Sequence, residues 1–317
     1  MVVMGFTHTF AGNPLDRADG LRRNEAAIEA AANHPDTRYL ALWNLHVLVE
    51  AATSEQSPAI QLSWLSQPQI ERLQISRLPV LLGLRGDIAH FAIDVSQLDD
   101  PTHELGLDGN YRFEDCRVAA MALPAQQSGI VAQSRAQLDW HRRHQFCSVC
   151  GNATSQQKGG HVRRCADCKS EHFPRTDPVA IMLIDDGECC LLGQSAGRLA
   201  RTGMYSALAG FIDQGESIEE AVRREVAEEA GIRVGEVRYH SSQPWPFPSS
   251  LMIGCHGKAT STQIHIDSAE MADVRWFPRD EVRAAMAAGG AELKVPGPIA
   301  IAHHLIKAWV NAEVNWQ

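Results

Sequence analysis

The chain has 317 residues, 38 acidic side chains against 29 Lys and Arg, and a formal net charge of −9. That length suggests two domains with ample core, and that charge excludes a dedicated nucleic-acid packaging protein. The longest apolar run near the centre, 179–184, is far too short to span a bilayer. The N-terminus has no basic segment followed by a sustained apolar one, so no signal peptide is expected, and a cytoplasmic enzyme with no membrane association is the default.

Residues 1–36 are polar and helix-biased (LRRNEAAIEAAANH). From Arg38 the pattern becomes strand-like: RYLALWNLHVLVE, AIQLSWLS, then VLLGLRGDIAHFAIDV with a hairpin turn at Gly86-Asp87. The same reading continues over residues 109–123, which include NYRFEDCRVAAMAL, and gives an α+β or mostly β N-terminal domain without a self-evident catalytic cluster. A helix is predicted at about 125–144.

Of the eight cysteines, four form Cys147-x2-Cys150 and Cys165-x2-Cys168, separated by fourteen residues. This spacing reads as a zinc ribbon whose four thiolates leave no open position, so the zinc is expected to be structural. A disulfide framework is disfavoured by the expected cytosolic location. Cys189, Cys190 and Cys255 lie in apolar strand-like runs and read as core. The ribbon's surroundings are basic: Arg142, Arg143, Lys158, Arg163, Arg164, Lys169 and Arg175 against Asp167 and Glu171. Attraction of polyanions and an ordinary solvated surface both fit that pattern.

Beyond Asp177, VAIMLI, the Asp186-Gly187 turn and CCLLG read as a hairpin. Further strands are predicted near 233–240, 251–258 and 273–277, and helices near 278–287 and 298–311. This mixture suits an α/β/α sandwich. Within it lies GFIDQGESIEEAVRREVAEEAGI, residues 210–232. Ser217 and Glu220 form a capping box, and Gly231 stands where a left-handed residue ends a helix. At about 100° per residue, Glu225, Glu228 and Glu229 share one arc with Ile218, Ala221 and Val222, so the acids are expected on the inward face. Clustered inward carboxylates raise one another's pKa. A divalent cation relieves that cost, and Mg²⁺ or Mn²⁺ is the natural guest of hard oxygen ligands. Arg224, one turn before Glu228, is placed to orient a carboxylate.

Ten residues further on, SQPWPFPSS (242–250) alternates prolines with large aromatics. Rigidly held aromatic faces suit stacking on planar rings, with Gln243 and the serines making polar contacts; aromatics packed into the core are the other reading.

The segment 210–232 matches the Nudix hydrolase signature at every fixed position, and the chain resembles the NADH pyrophosphatase family of these enzymes. The resemblance rests also on SQPWPFP, on Trp140-His141 before the four cysteines, on Phe173-Pro174-Arg175 after them, on Pro296 to Ala300, and on GNPLDRAD (12–19). It implies an α+β fold: an N-terminal mixed α/β domain (1–140), a zinc ribbon (141–176) and a C-terminal Nudix α/β/α sandwich (177–317). It implies Mg²⁺ or Mn²⁺ ligands at Glu225, Glu229, Glu270 and the Ala209 carbonyl, with Glu228 completing the set. Glu229 is the candidate for orienting or deprotonating water. Substrate-binding positions fall on Phe173, Phe211, Gln243, Pro244, Trp245, Pro246, Phe247, Pro248, Ser249, Ser250 and Ala300. Some relatives carry tyrosine where this chain has Phe173, which keeps the stacking face and loses a hydroxyl. The implied reaction is cleavage of NADH or NAD⁺ to NMN(H) and AMP, with removal of an NAD cap from RNA as a second use and a homodimer as the assembly. The alternatives are a Nudix enzyme for another dinucleotide, such as ADP-ribose or a diadenosine compound, and a catalytically silent zinc-ribbon protein that binds RNA.

Overall fold

The computed structural model describes residues 8–51, 59–288, 293–314 and 316, so the first seven residues of the N-terminal reading lie outside it. The chain divides into two compact units. One holds Thr9–Thr176 with Trp245–Ser249; the other holds Asp177–Pro244 and Ser250–Gln317, together with the N-terminal end through His8.

The first unit opens with two short helices, α1 (Asp19–Arg22) and α2 (Glu25–Ala32). Its main sheet has seven strands: β1 (Arg38–Trp43), β2 (His46–Ala51), β3 (Ile60–Leu62), β4 (Leu65–Ser66), β5 (Val80–Arg85), β6 (Ile88–Asp94) and β7 (Tyr111–Glu114). The central order is β3-β2-β1-β6-β5, with β4 on β1 and β7 on β2. Helices α3 (Gln67–Arg72), α4 (Pro101–Glu104), α5 (Cys116–Ala122) and α6 (Ala125–Arg143) complete it. The strand reading of 109–123 therefore holds only as far as Glu114. Asp115 caps α5 by accepting from the backbone N–H groups of Arg117 and Val118, and Cys116, Ala119 and Ala120 are buried at helical spacing. The cap and the three-four spacing outweigh the apolar run that looked like a strand. The segment GNPLDRAD is tied to this unit: Asn13 donates to the Gln133 side chain, and a side chain at Gly129 would come within 2.6 Å of the Asn13 nitrogen.

A three-stranded sheet of β8 (Thr154–Gln157), β9 (Val162–Cys165) and β10 (Glu171–His172) follows α6, in the order β10-β9-β8. Cys165 ends β9, while Cys147 and Cys150 precede β8 and Cys168 lies in the turn between β9 and β10.

The second unit is an α/β/α sandwich. Its strands are β11 (Asp177–Asp185), β12 (Cys189–Ser195), β13 (Leu208–Phe211), β14 (Val234–Trp245), β15 (Ser250–Ala259) and β16 (Met271–Pro278). The order is β14-β15-β11-β12-β16 with β13 on β11, and β11 runs parallel to β15. The strand β11 shows why one apolar run serves two layers. Ala180, Met182 and Ile184 meet Ala221, Val222 and Val226 on one face. Ile181 and Leu183 meet Ile301, Leu305 and Trp309 on the other. Alternate side chains point to opposite faces of a strand, so a strand buried on both sides reads as continuously apolar. The helices are α7 (Arg198–Thr202), α8 (Ile218–Ala230), α9 (Arg279–Ala288) and α10 (Ile301–Val310). Cys190 and Cys255 are buried, as expected of core residues, and Cys189 is half-buried. Among the described residues no helix is long and apolar enough to cross a membrane.

His8 and His256 are buried in the second unit, and neither His256 ring nitrogen nor the His8 Nδ1 has a hydrogen-bond partner. Burial pushes His8 down to about 4 and His256 down to about 3, with neighbouring histidines adding to both shifts. An unfolded histidine binds its proton near pH 6.5, whereas these remain neutral when folded until far lower pH. Their contribution is intact above pH 6.5 and is lost as pH falls from there toward 4 for His8 and toward 3 for His256, at up to about 1.4 kcal/mol per pH unit for each. Replacing His256 by Leu is expected to raise the melting temperature more at pH 5 than at pH 8. Equal gains at both pH values in calorimetry would contradict this.

Candidate active site and metal centres

The loop 210–217 and α8 are fixed by local rules. Ser217 Oγ accepts from Glu220 N–H at 3.3 Å, and the Glu220 carboxylate accepts from Ser217 N–H at 2.7 Å. Gly231 ends the helix at φ 69°, a left-handed conformation that glycine adopts without a Cβ penalty. Val222, Val226 and Ala230 bury the inner face against the sheet.

That register separates the acids. Glu225 and Glu229 are 8% and 7% exposed, while Glu228 projects into solvent. The expectation of one shared inward face is therefore corrected for Glu228, which lies at the edge of the arc. Its place is set by Arg224, whose guanidinium organises the whole loop. Nε and one terminal nitrogen donate to both oxygens of Glu216, at 2.6 and 2.8 Å. The other terminal nitrogen donates to Glu225 and Glu228, each at 2.9 Å, and a further bond reaches the Phe211 carbonyl. Bidentate and charge-assisted bonds of this kind are strong and directional.

Gly210, on β13, is the matching constraint. A Cβ there would stand 1.8 Å from the Glu225 carboxyl carbon. The Glu225 carboxylate thus lies directly on the strand backbone, one residue after Ala209.

The electrostatics follow from this geometry. Arg224, with help from Asp213 N–H, holds Glu216 down to about 2. Glu225 is raised, by burial first and then by Glu228 and Glu270, against the pull of Arg224. Burial together with Glu225, Glu270 and Glu228 pushes Glu229 up to about 8, and its Oε2 is buried without a hydrogen-bond partner. Glu270 is exposed just before β16 and is near enough to act on both. An orphaned buried carboxylate oxygen, a strand backbone laid open at Gly210 and an all-oxygen donor set fit a divalent cation. Glu225, Glu228, Glu229, Glu270 and the Ala209 carbonyl are the groups available to hold it.

Beside the three-stranded sheet, one ligand sulfur from each of Cys147, Cys150, Cys165 and Cys168 lies within 4.8 Å of the others. The closest pairs, Cys147 with Cys168 and Cys150 with Cys165, are 3.5 Å apart, too far for a disulfide. Val149 N–H donates to Cys147 Sγ at 3.4 Å. This is a closed four-thiolate cage for a structural zinc ion. The surrounding basic residues are largely engaged within the protein. Arg142 and Arg143 both pair with Asp139, Arg163 donates to Thr154, and Lys158 faces Glu171 at 3.9 Å.

The proposed substrate residues behave differently from one another. Phe173 and Phe211 are 61% and 60% exposed, so each offers an open ring face in its own unit. Gln243 is fully buried. Its amide donates to the Ile299 carbonyl at 2.7 Å and accepts from Ile301 N–H at 2.8 Å, clamping the backbone around Ala300. In this conformation the side chain serves as a backbone clamp at the N-terminus of α10, where Ala300 supplies no side-chain cap. Trp245 and Phe247 are half-buried and meet edge to face, and each also meets Phe10. Pro244, Ser249 and Ser250 are half-exposed, Pro248 is exposed, and the Pro246 carbonyl accepts from Arg135. The guanidiniums of Arg117 and Arg135 stand over the Phe247 ring, at 3.6 and 4.5 Å from its centroid. Nothing in the local sequence marks these two arginines. Glu216 and Gly210 were legible as fixed positions of the signature, but their roles were not.

This fold and this loop-helix define a Nudix hydrolase, and the chain belongs to that family in its NADH pyrophosphatase branch. Its residues 174–294 match the NUDIX domain, 36–140 the NADH pyrophosphatase-like rudimentary NUDIX domain, and 142–173 the NADH pyrophosphatase zinc ribbon domain. It is 37% identical to the human NAD-capped RNA hydrolase NUDT12, over 96% of this chain and 74% of that protein. It is 41% identical to the human mitochondrial NAD(P)H pyrophosphatase NUDT13, over 70% of this chain and 65% of that one. The NAD-capped RNA hydrolase NudC of Mycobacterium bovis is 35% identical, over 94% and 93% of the two chains.

Gly210→Ala is expected to displace the Glu225 carboxylate and to lower kcat/KM by about 100-fold or more, with the circular dichroism spectrum unchanged. Activity within a few-fold of the wild type would show that the Gly210 contact does not set the site. Cys165→Ser is expected to release about one zinc ion per chain, read by atomic absorption, and to lower the melting temperature. Retention of stoichiometric zinc would contradict the four-thiolate cage.

Proposed function

We propose that this protein hydrolyses the diphosphate bond of NADH or NAD⁺ to NMN(H) and AMP, and that it removes the NAD cap from RNA by the same cleavage. The observation that carries the reading is the orphaned, buried Glu229 carboxylate beside Glu225 on an arginine-clamped helix. The names of the similar proteins supply the substrate class. Mg²⁺ or Mn²⁺ held by this carboxylate set supplies charge neutralisation of the diphosphate and a water of lowered pKa.

The chain's own residues do the rest. Arg224 keeps Glu225 and Glu228 in fixed directions, and Glu216 holds Arg224 in turn. Glu229 Oε2, buried beside Glu225 without a hydrogen-bond partner, takes the water's proton or orients it. Phe211 offers a stacking face for a planar ring of the substrate, and the family resemblance gives Phe173 as a substrate-binding position. Gln243 sets the backbone at Ala300, so its part in binding is to position. The zinc ion shapes its own module and takes no part in the hydrolysis. A homodimer is the assembly we assign from the family resemblance, to be read by light scattering. One similar protein is named as mitochondrial, so family membership alone carries no compartment.

Purified protein incubated with NADH and Mn²⁺ or Mg²⁺ is expected to release NMNH and AMP only when the metal is present. Glu229→Gln is expected to keep its zinc and its fold while losing about 100-fold or more in kcat. Cleavage of ADP-ribose but not NADH would overturn the substrate, and wild-type turnover by E229Q would overturn the role of Glu229.

A further inference from the structure

The first turn of α10 reaches back to the segment that leads into it. Residues 295–300 belong to no helix or strand. Pro296 and Pro298 have no N–H to donate, so their carbonyls are the handles by which the rest of the unit holds them. His303 Nδ1–H donates to the Pro296 carbonyl and His304 Nε2–H to the Pro298 carbonyl, each at 2.9 Å. A carbonyl only accepts, which fixes the tautomer of both neutral rings. Next to these bonds, Gln243 holds the Ile299 carbonyl and the Ile301 N–H. A row of histidines stands behind His304. Its ring meets His8 edge to face, with centroids 4.6 Å apart. His8 Nε2 and His240 Nδ1 each lie 2.7 Å from Ser241 Oγ, and His240 meets His256 at 5.3 Å. The titratable groups facing His304 are His303 and Lys307 from α10, His8, and His240 from β14. His240 in turn faces His256 from β15 and Glu313.

We propose that His303 and His304 are positioning residues for the substrate: they hold the backbone around Ala300, and the histidine row behind His304 keeps that hold only while its rings are uncharged. This deepens, and rests on, the reading of the protein as a dinucleotide diphosphatase with Ala300 at a substrate-binding position. Neither ring acts on the reacting atoms; each acts through a carbonyl of the segment. With the segment held, His304 is half-buried, and burial, then His303 and Lys307, lower it below the ordinary histidine value against the pull of the Pro298 carbonyl. Once the segment is released, water reaches the ring and the ordinary value near 6.5 returns. The released form therefore binds a proton more readily, so the hold is complete above pH 6.5 and weakens as pH falls below it. The consequence is weaker substrate binding in acid, separate from any titration of the carboxylates on α8.

The test measures NADH hydrolysis at pH 7.5 and 5.5 by the zinc-loaded wild type, His304→Leu and His304→Gln. H304L removes the donor to Pro298, and H304Q keeps an amide donor that does not titrate. At pH 7.5, H304L is expected to raise KM roughly fivefold, the scale of one hydrogen bond, with kcat within about twofold, while H304Q stays near the wild type. Between pH 7.5 and 5.5, KM of the wild type should rise about threefold more than that of H304Q. An unchanged KM in H304L, a loss carried by kcat, or equal pH dependence in the wild type and H304Q would overturn the proposal. A second readout needs no substrate. Hydrogen exchange at the Ile301 amide, which donates to Gln243, reports the hold directly. Its protection should fall in H304L at pH 7.5 while that of α8 is kept. Equal protection in H304L and the wild type would overturn the hold whether or not NADH is cleaved. If H304L loses the α8 protection as well, H304Q carries the comparison, and its smaller pH dependence remains the expected result. Lost protection at Ile301 alone, in a protein that cleaves no NADH, would fault the diphosphatase reading and leave the hold standing.

Discussion

One guanidinium holds the catalytic loop together. Arg224 bonds both oxygens of Glu216, one oxygen each of Glu225 and Glu228, and the carbonyl of Phe211. These bonds tie the start of the loop, its middle and the second turn of α8 into one body. The arrangement is unequal by design of the helix period. Three acids receive the arginine, and Oε2 of Glu229, one turn beyond Glu225 and facing inward, has no hydrogen-bond partner. A buried carboxylate without a partner is costly in isolation. Under the function we propose, it is an oxygen kept for a cation and for water.

The sheet supplies the second half of that constraint. The strand β13 meets β11 with Gly210 opposite Ala180 and Ala209 opposite Ile181. The absence of a side chain at Gly210 lets the Glu225 carboxylate approach the strand, and no other residue type leaves that space. The apolar alternation of β11 then locks α8 on one face and α10 on the other. On the α10 side, Gln243 uses both ends of its amide to hold residues 299–301. The signature residues at 210–232 and the distant motifs at 243 and 296–300 thus act as fixed backbone positions as much as chemical groups.

Much of this was legible in the sequence. The capping box at Ser217 and Glu220, the glycine stop at 231 and the double CxxC each follow from short-range rules, and the structure places them as those rules require. Periodicity also located α6 and the strands of the sandwich other than β13. Other features depended on tertiary contacts that no local pattern encodes. Glu228 falls at the edge of the acidic arc, where a difference of one helical position decides between burial and solvent. The run after Glu114 became α5 because Asp115 caps it. Gln243 looked like a polar contact for a ligand, since nothing in its neighbourhood in sequence announces Ile299 and Ile301 as its partners. The two arginines over Phe247 come from separate helices more than a hundred residues earlier in the chain.

The central claim is that Arg224 preorganises a divalent-cation site that exists before substrate arrives. Mn²⁺ titrated into the zinc-loaded protein without nucleotide, read by electron paramagnetic resonance, tests it directly against Arg224→Lys, which keeps the charge but loses the fork. The account predicts saturable Mn²⁺ binding in the wild type and roughly tenfold or greater weakening in the variant. Equal Mn²⁺ affinity in the two proteins would contradict it.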